Sequence, residues 1–106
     1  MDNRKIDRLI AEEIFGWDTH HYENINVISA FTEEEIINIP DDFCPSERIK
    51  DAWLVVEKFD YHKVEKDAGH YYVQLANQDT KFFPGDGETA PLAICLAALK
   101  SVGVEI

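Results

Sequence analysis

Between Leu9 and Glu47 the chain carries no lysine and no arginine, although ten of those residues are acidic (Glu12, Glu13, Asp18, Glu23, Glu33, Glu34, Glu35, Asp41, Asp42 and Glu47). Over the whole sequence 21 acidic residues stand against 10 basic ones, a formal net charge of −11. Such a surface repels phosphate backbones, which argues against direct nucleic-acid binding and for basic proteins or cations as partners. Cysteine is scarce as well. Cys44 and Cys95 form no CxxC and no Cys/His ligand spacing, so neither a disulfide framework nor a zinc site is expected. The opening MDNRKIDRLIAEEIF lacks the apolar region of a signal peptide, and a cytoplasmic location is expected. Long hydrophobic runs are also missing. The oiliest stretch, Ala90–Leu99, is ten residues, about half of what a membrane helix needs.

What is present suits a single domain over residues 1–106 that buries a core without cross-links. Ile6, Leu9, Ile10 and Ile14, continued by Trp17, predict a helix over 3–15, stopped by Gly16. ENINVISAF (23–31) alternates as a strand. TEEEIINIP (32–40) has two readings: a short helix from the Thr32/Glu35 capping-box spacing, or a buried strand. A second helix is expected over 47–59, capped by Ser46, with Ile49, Ala52, Trp53, Val56 and Phe59 inward and Asp51 and Glu57 outward. DYHKVEKDAG (60–69) reads as a polar linker, HYYVQLANQ as a strand, NQD as a turn, TKFF as the strand that closes a hairpin, and PGDGE (84–88) as a loop. The last helix, over 90–102, is capped by Thr89 and ended by Gly103. It is apolar all round, so it should lie in the core, across a sheet and between the other helices, or at a homodimer interface. The fold class expected is α+β: a small layered sandwich of an antiparallel or mixed β-sheet packed with three helices.

Three blocks then resemble a known family. IAEEIFGW, PSERIKDAWLVVEKF and ETAPLAICLAALKSVGVEI are similar to the conserved blocks of the phage ABA sandwich domain family, small proteins encoded by phages and prophages of Firmicutes. The blocks cover about 40 of the 106 residues and span the chain. The resemblance implies a layered α/β sandwich in a bacterial host cytoplasm. It carries over no catalytic residue.

Chemistry-bearing residues are few. Asp18, His20 and His21 read as solvated loop residues beside Trp17. Cys95, among leucine, isoleucine and alanine, reads as a buried hydrophobe, and Cys44 as a dull thiol whose pKa is raised by Asp41 and Asp42. No catalytic residue, cofactor or metal is expected. The leading expectation is a non-enzymatic binding module whose acidic surface contacts a host or phage protein, with Glu33, Glu34, Glu35, Asp41, Asp42 and the exposed Tyr72 as the interaction surface. The alternative is a binder or sequesterer of a nucleotide-like small molecule, with Lys58, Lys63, Lys66 and Lys81 as its cations.

Overall fold

A computed structural model describes residues 3–25, 27–77 and 81–104. Helix α1 (Asn3–Leu9) runs directly into a π-helical segment, Ile10–Ile14. Strands β1 (Asp18–Tyr22), β2 (Val27–Phe31) and β3 (Ile36–Ile39) follow, then α2 (Ile49–Val56). Strands β4 (Tyr61–Asp67), β5 (His70–Ala76) and β6 (Phe82–Gly87) lead to α3 (Ala90–Ser101). The expected α+β sandwich with three helices is what forms. Among the described residues its strands divide into two antiparallel sheets, ordered β1-β2-β3 and β4-β5-β6.

The oily C-terminal stretch is the centre of this arrangement. Ala93, Ile94, Cys95, Ala97, Ala98 and Leu99 are fully buried. Helix α3 packs on β5 and β6 on one side, and on α2, α1 and the π segment on the other. Thr89 caps it by accepting the Leu92 N–H (3.3 Å), and Gly103 closes it at φ +81° while the Val104 N–H returns to the Leu99 carbonyl. The first helix carries its stripe as expected: Ile6 and Ile10 are buried, with Leu9, Ile14 and Trp17 packed against the same core.

Several elements depart from the sequence reading. Residues 60–69 are no linker. Seven of them form β4, an edge strand exposed along its whole length, paired with β5 through a two-residue turn at Ala68 and Gly69. Both turn residues have positive φ, +51° and +78°, as a primed hairpin turn requires. An edge strand covered on neither face has no apolar alternation to reveal it. PGDGE is no loop either, since Pro84–Gly87 belong to β6. A Cβ on Gly85 would stand 2.4 Å from the Ala93 carbonyl oxygen and the Ala97 nitrogen, so β6 lies against the backbone of α3 and only glycine fits. The expected NQD turn falls largely on residues 78–80, outside the described residues.

Helix α2 starts later than expected and is rotated. Its first-turn boundary is Arg48, not Ser46. Ala52, Val55 and Val56 face the core, whereas Ile49 and Trp53 are 54% and 42% exposed. Asp51, expected outward, is only 7% exposed and accepts the Cys44 N–H at 2.8 Å. The helix is apolar at most positions, so periodicity alone leaves its phase open, and this buried hydrogen bond sets it. TEEEIINIP resolves as strand. Thr32 Oγ1 does accept the N–H groups of Glu34 and Glu35, as a helix cap would, but within the β2–β3 turn, closed by a bond from the Thr32 N–H to the Glu35 carbonyl.

Candidate functional site

The acidic turn Glu33–Glu35 stands over an aromatic floor. The π segment puts the Phe15 N–H on the Ile10 carbonyl and the Trp17 N–H on the Ala11 carbonyl, with Gly16 at φ +72° between them. This ending turns two rings toward β2 and β3. Phe15 and Trp17 stack at 4.8 Å between centroids, and Phe43 meets both edge-on at 5.5 and 5.2 Å. Together with Phe31, Ile37, Asp18 and the three glutamates, Phe15 and Trp17 line a cleft of about 700 Å³. Within it Phe31 is 37% exposed. The result is an open cleft in which aromatic and aliphatic side chains stand beside carboxylates.

The other residues of the expected interaction surface lie elsewhere. Asp41 and Asp42 follow the far end of β3, about 13 Å along the strand from the glutamates at 3.3 Å per residue. Asp42 is occupied locally, accepting the Asn38 N–H at 3.0 Å, and the Asp41 carbonyl accepts from Arg48 at 2.9 Å. Tyr72 is exposed on the outer face of the second sheet, beside His70. Thus one group of three glutamates has a cleft, and the remaining residues do not join it. His20 and His21 are strand residues of β1, not loop residues. Being adjacent, they face opposite ways, His20 against Tyr22 and His21 into a cavity under α1. Among the described residues no three His, Cys, Asp or Glu side chains gather as a metal site. The four lysines considered for a small molecule are dispersed: Lys58, Lys66 and Lys81 sit over Phe15, Tyr71 and Phe83, and Lys63 pairs with Glu65.

Cys44 belongs to a buried polar knot between α1 and α2. Asp7, fully buried, accepts the Ser46 N–H at 2.9 Å and lies 3.4 Å from Arg4 Nη1. The Cys44 thiol lies 3.1 Å from a Glu47 oxygen and 3.5 Å from Asp7, and Arg4 also pairs with Glu47. Burial pushes the thiol up to about 11, helped by its bond to Glu47, and burial likewise raises Asp7. The bond from the thiol, then Arg4, lowers Glu47. The expected rise at Cys44 is present, but its cause is burial with Glu47 and Asp7, not Asp41 and Asp42. Cys95 in the core is raised well above the ordinary thiol value, by burial first and then by the charges of Asp7 and Cys44. Both sulfurs are thus held as thiols, the unreactive form.

One feature escaped the sequence reading. Under α1, against the inner face of the first sheet, lies a cavity of about 800 Å³ lined by Arg4, Lys5, Arg8, Leu9, Glu12, His21, Ile28, Ile39 and Pro40. The three cations at spacing 4, 5, 8 were the available signal, since a helix brings i and i+4 to one face. Their apolar counterparts Ile28, Ile39 and Pro40 lie 20 to 36 residues downstream and could not be paired with them from sequence.

No helix among the described residues is long and apolar enough to cross a membrane. Neither the curated proteins nor the solved structures contain a match to the chain. The family model described as the Phage ABA sandwich domain matches residues 8–99, which take in both sheets and most of the helical core around the acidic cleft, and the chain belongs to that family.

Proposed function

We propose that this phage protein is a non-catalytic binding protein, and that the cleft beside Glu33–Glu35 takes a lysine- or arginine-bearing segment of a host or phage protein. The observation that carries the reading is the pairing of three consecutive carboxylates with a floor of Phe15, Trp17, Phe31 and Ile37. A long basic side chain has the complementary form, an aliphatic stem for the apolar floor and a cationic head for the carboxylates. The face of Trp17 adds a cation–π partner. Both thiols are raised, which supports a role other than nucleophile for them.

The test is a titration with a ten-residue lysine/arginine-rich peptide, followed by tryptophan fluorescence. Binding at low salt should weaken at least tenfold in E33Q/E34Q/E35Q and again in 0.5 M NaCl, while D41N leaves it unchanged. Equal affinity in the wild type and the triple variant would overturn the assignment.

A further inference from the structure

The second sheet ends on an open edge. In the order β4-β5-β6, β4 bonds to β5 on one side and to no described strand on the other, and all seven of its residues are exposed. An unpaired edge of this length is a template for a further strand. We propose that β4 is where a second copy of this chain docks, antiparallel and about a two-fold axis at Val64, so that the second sheets of the two copies join into one of six strands. The sequence reading put a homodimer on α3, but that helix is buried in the core. The acidic cleft lies on the first sheet, and the dimer does not depend on it.

The order of residues along the edge selects the occupant. The two-residue turn at Ala68 and Gly69 closes on Asp67 and His70, the last pair of the β4–β5 ladder. A turn of this kind closes on a hydrogen-bonded pair, and bonding alternates from there. Lys63 and Glu65 therefore bond to β5, while His62, Val64 and Lys66 turn their N–H and C=O groups to the open side. In an antiparallel pair centred on Val64 these groups meet one another: Val64 stands opposite the partner's Val64, and His62 opposite the partner's Lys66. Repeated by symmetry, this gives six backbone hydrogen bonds. The same register sets Lys63 opposite the partner's Glu65 on the outer face, and Glu65 opposite the partner's Lys63. Lys63 and Glu65 already pair within one strand at 2.9 Å, so the four charges alternate around a square and none is left over. Centring the pair on Lys63 or on Glu65 sets that residue against its own copy and pairs only two of the three open residues. Exposed ion pairs add little affinity, so these choose the register and the backbone supplies the binding. The strand itself is neutral, two lysines against Glu65 and Asp67, in a chain of net charge −11, so this edge escapes the repulsion that the acidic excess imposes elsewhere. On the inner face α2 runs beside β4. Trp53 meets His62 at 5.0 Å between ring centroids, and Ile49 shares a groove with Lys66 and Tyr71. Both apolar side chains are exposed, and a partner strand on the open side covers surface that a single copy leaves in water.

Sedimentation equilibrium of the full chain, from micromolar to millimolar concentration, reads the association. The wild type should pass from one chain to two. Lys63→Glu and Glu65→Lys each put like charges opposite one another twice per dimer, and each should weaken association about tenfold. The double variant Lys63→Glu/Glu65→Lys restores the opposite pairs and should return to within about twofold of the wild type. An equimolar mixture of the two single variants should form the mixed dimer in preference to either alone. Lys100→Glu, which changes net charge as Lys63→Glu does but from the last turn of α3, should act less than twofold. Val64→Pro removes the central N–H, which no strand of the same chain uses, and should weaken association about tenfold or more. Should that variant fail to fold, the charge exchanges decide the matter. Amide hydrogen exchange locates the contact: His62, Val64 and Lys66 should become protected as concentration rises, while Lys63 and Glu65 are protected throughout. A chain that stays single at millimolar concentration, equal effects of the Lys63 and Lys100 variants, no recovery in the double variant, or amides of His62, Val64 and Lys66 that stay unprotected in the dimer would each overturn the proposal.

Discussion

Two buried carboxylates, Asp7 and Asp51, hold the turn at Phe43–Ser46, each by accepting a backbone N–H. A buried N–H left without its acceptor costs about 1–3 kcal/mol, so Asp51→Ala should lower stability by that amount, and Asp51→Asn, which keeps an acceptor oxygen, by less. Urea unfolding of the two variants measures the difference. Cys44 within the same knot gives a pH signature. Its pKa is raised on folding, so the folded state favours the protonated thiol. The resulting stability is complete below the ordinary thiol range near 9 and is lost as pH rises toward about 11. By linkage the full effect is at most roughly 2–3 kcal/mol. Between pH 9 and 10.5 the urea midpoint of the wild type should therefore fall more steeply than that of Cys44→Ala. The burial of Cys95, the first cause of its own raised pKa, is common to both proteins and cancels in the comparison. None of these residue roles could be read from the sequence, where Asp51 sits at an ordinary helical position. Its burial follows from what the loop before it needs.

At the scale of elements, legibility followed burial. Helix α3 announces itself through an apolar run, a threonine cap and a glycine stop, because all three serve the element itself. The π segment, β4 and β6 are set by their neighbours. Glycines within a strand read as a turn until α3 is seen lying on them. The cleft was half legible for the same reason. Glu33–Glu35 stand out as charges, but their floor comes from Phe15 and Trp17, brought under them by a helix ending 16 residues earlier. The glycine argument is directly testable. Gly85→Ala places a methyl into backbone atoms of α3 that cannot turn aside, and should cost about 3 kcal/mol or more. Gly69→Ala meets nothing within 4 Å and bears only the left-handed backbone, about 1 kcal/mol. Thermal or urea unfolding of the pair separates close packing from backbone strain. The rotated face of α2 gives a parallel contrast. Val55→Ala, in the core, should cost about 2 kcal/mol or more, and Trp53→Ala, 42% exposed, less than that despite removing many more atoms.

For the molecule as a whole, the acidic excess opposes the very fold that displays it. Eleven uncompensated negative charges repel one another, and most of those between residues 9 and 47 lie on or beside the first sheet. The three glutamates of the β2–β3 turn are the densest part. The hydrogen bonds of that turn run from backbone N–H groups to Thr32 Oγ1 and from the Thr32 N–H to a carbonyl. They do not use the carboxylates, so E33Q/E34Q/E35Q should leave the turn intact and relieve repulsion alone. At low salt the triple variant should melt about 3–6 °C above the wild type, which corresponds to roughly 1 kcal/mol in a domain of this size. In 0.5 M NaCl, where the screening length falls below 5 Å, the wild type should gain stability and the gap should close. A gap that persists at high salt would mean that the glutamines stabilise by propensity or packing and that charge repulsion is not the cause. Closure of the gap, joined to loss of peptide binding in the same variant, would assign one cause to both effects: carboxylates that destabilise the free protein are neutralised when a basic partner fills the cleft, so a bound peptide should raise the melting temperature of the wild type more than that of the variant.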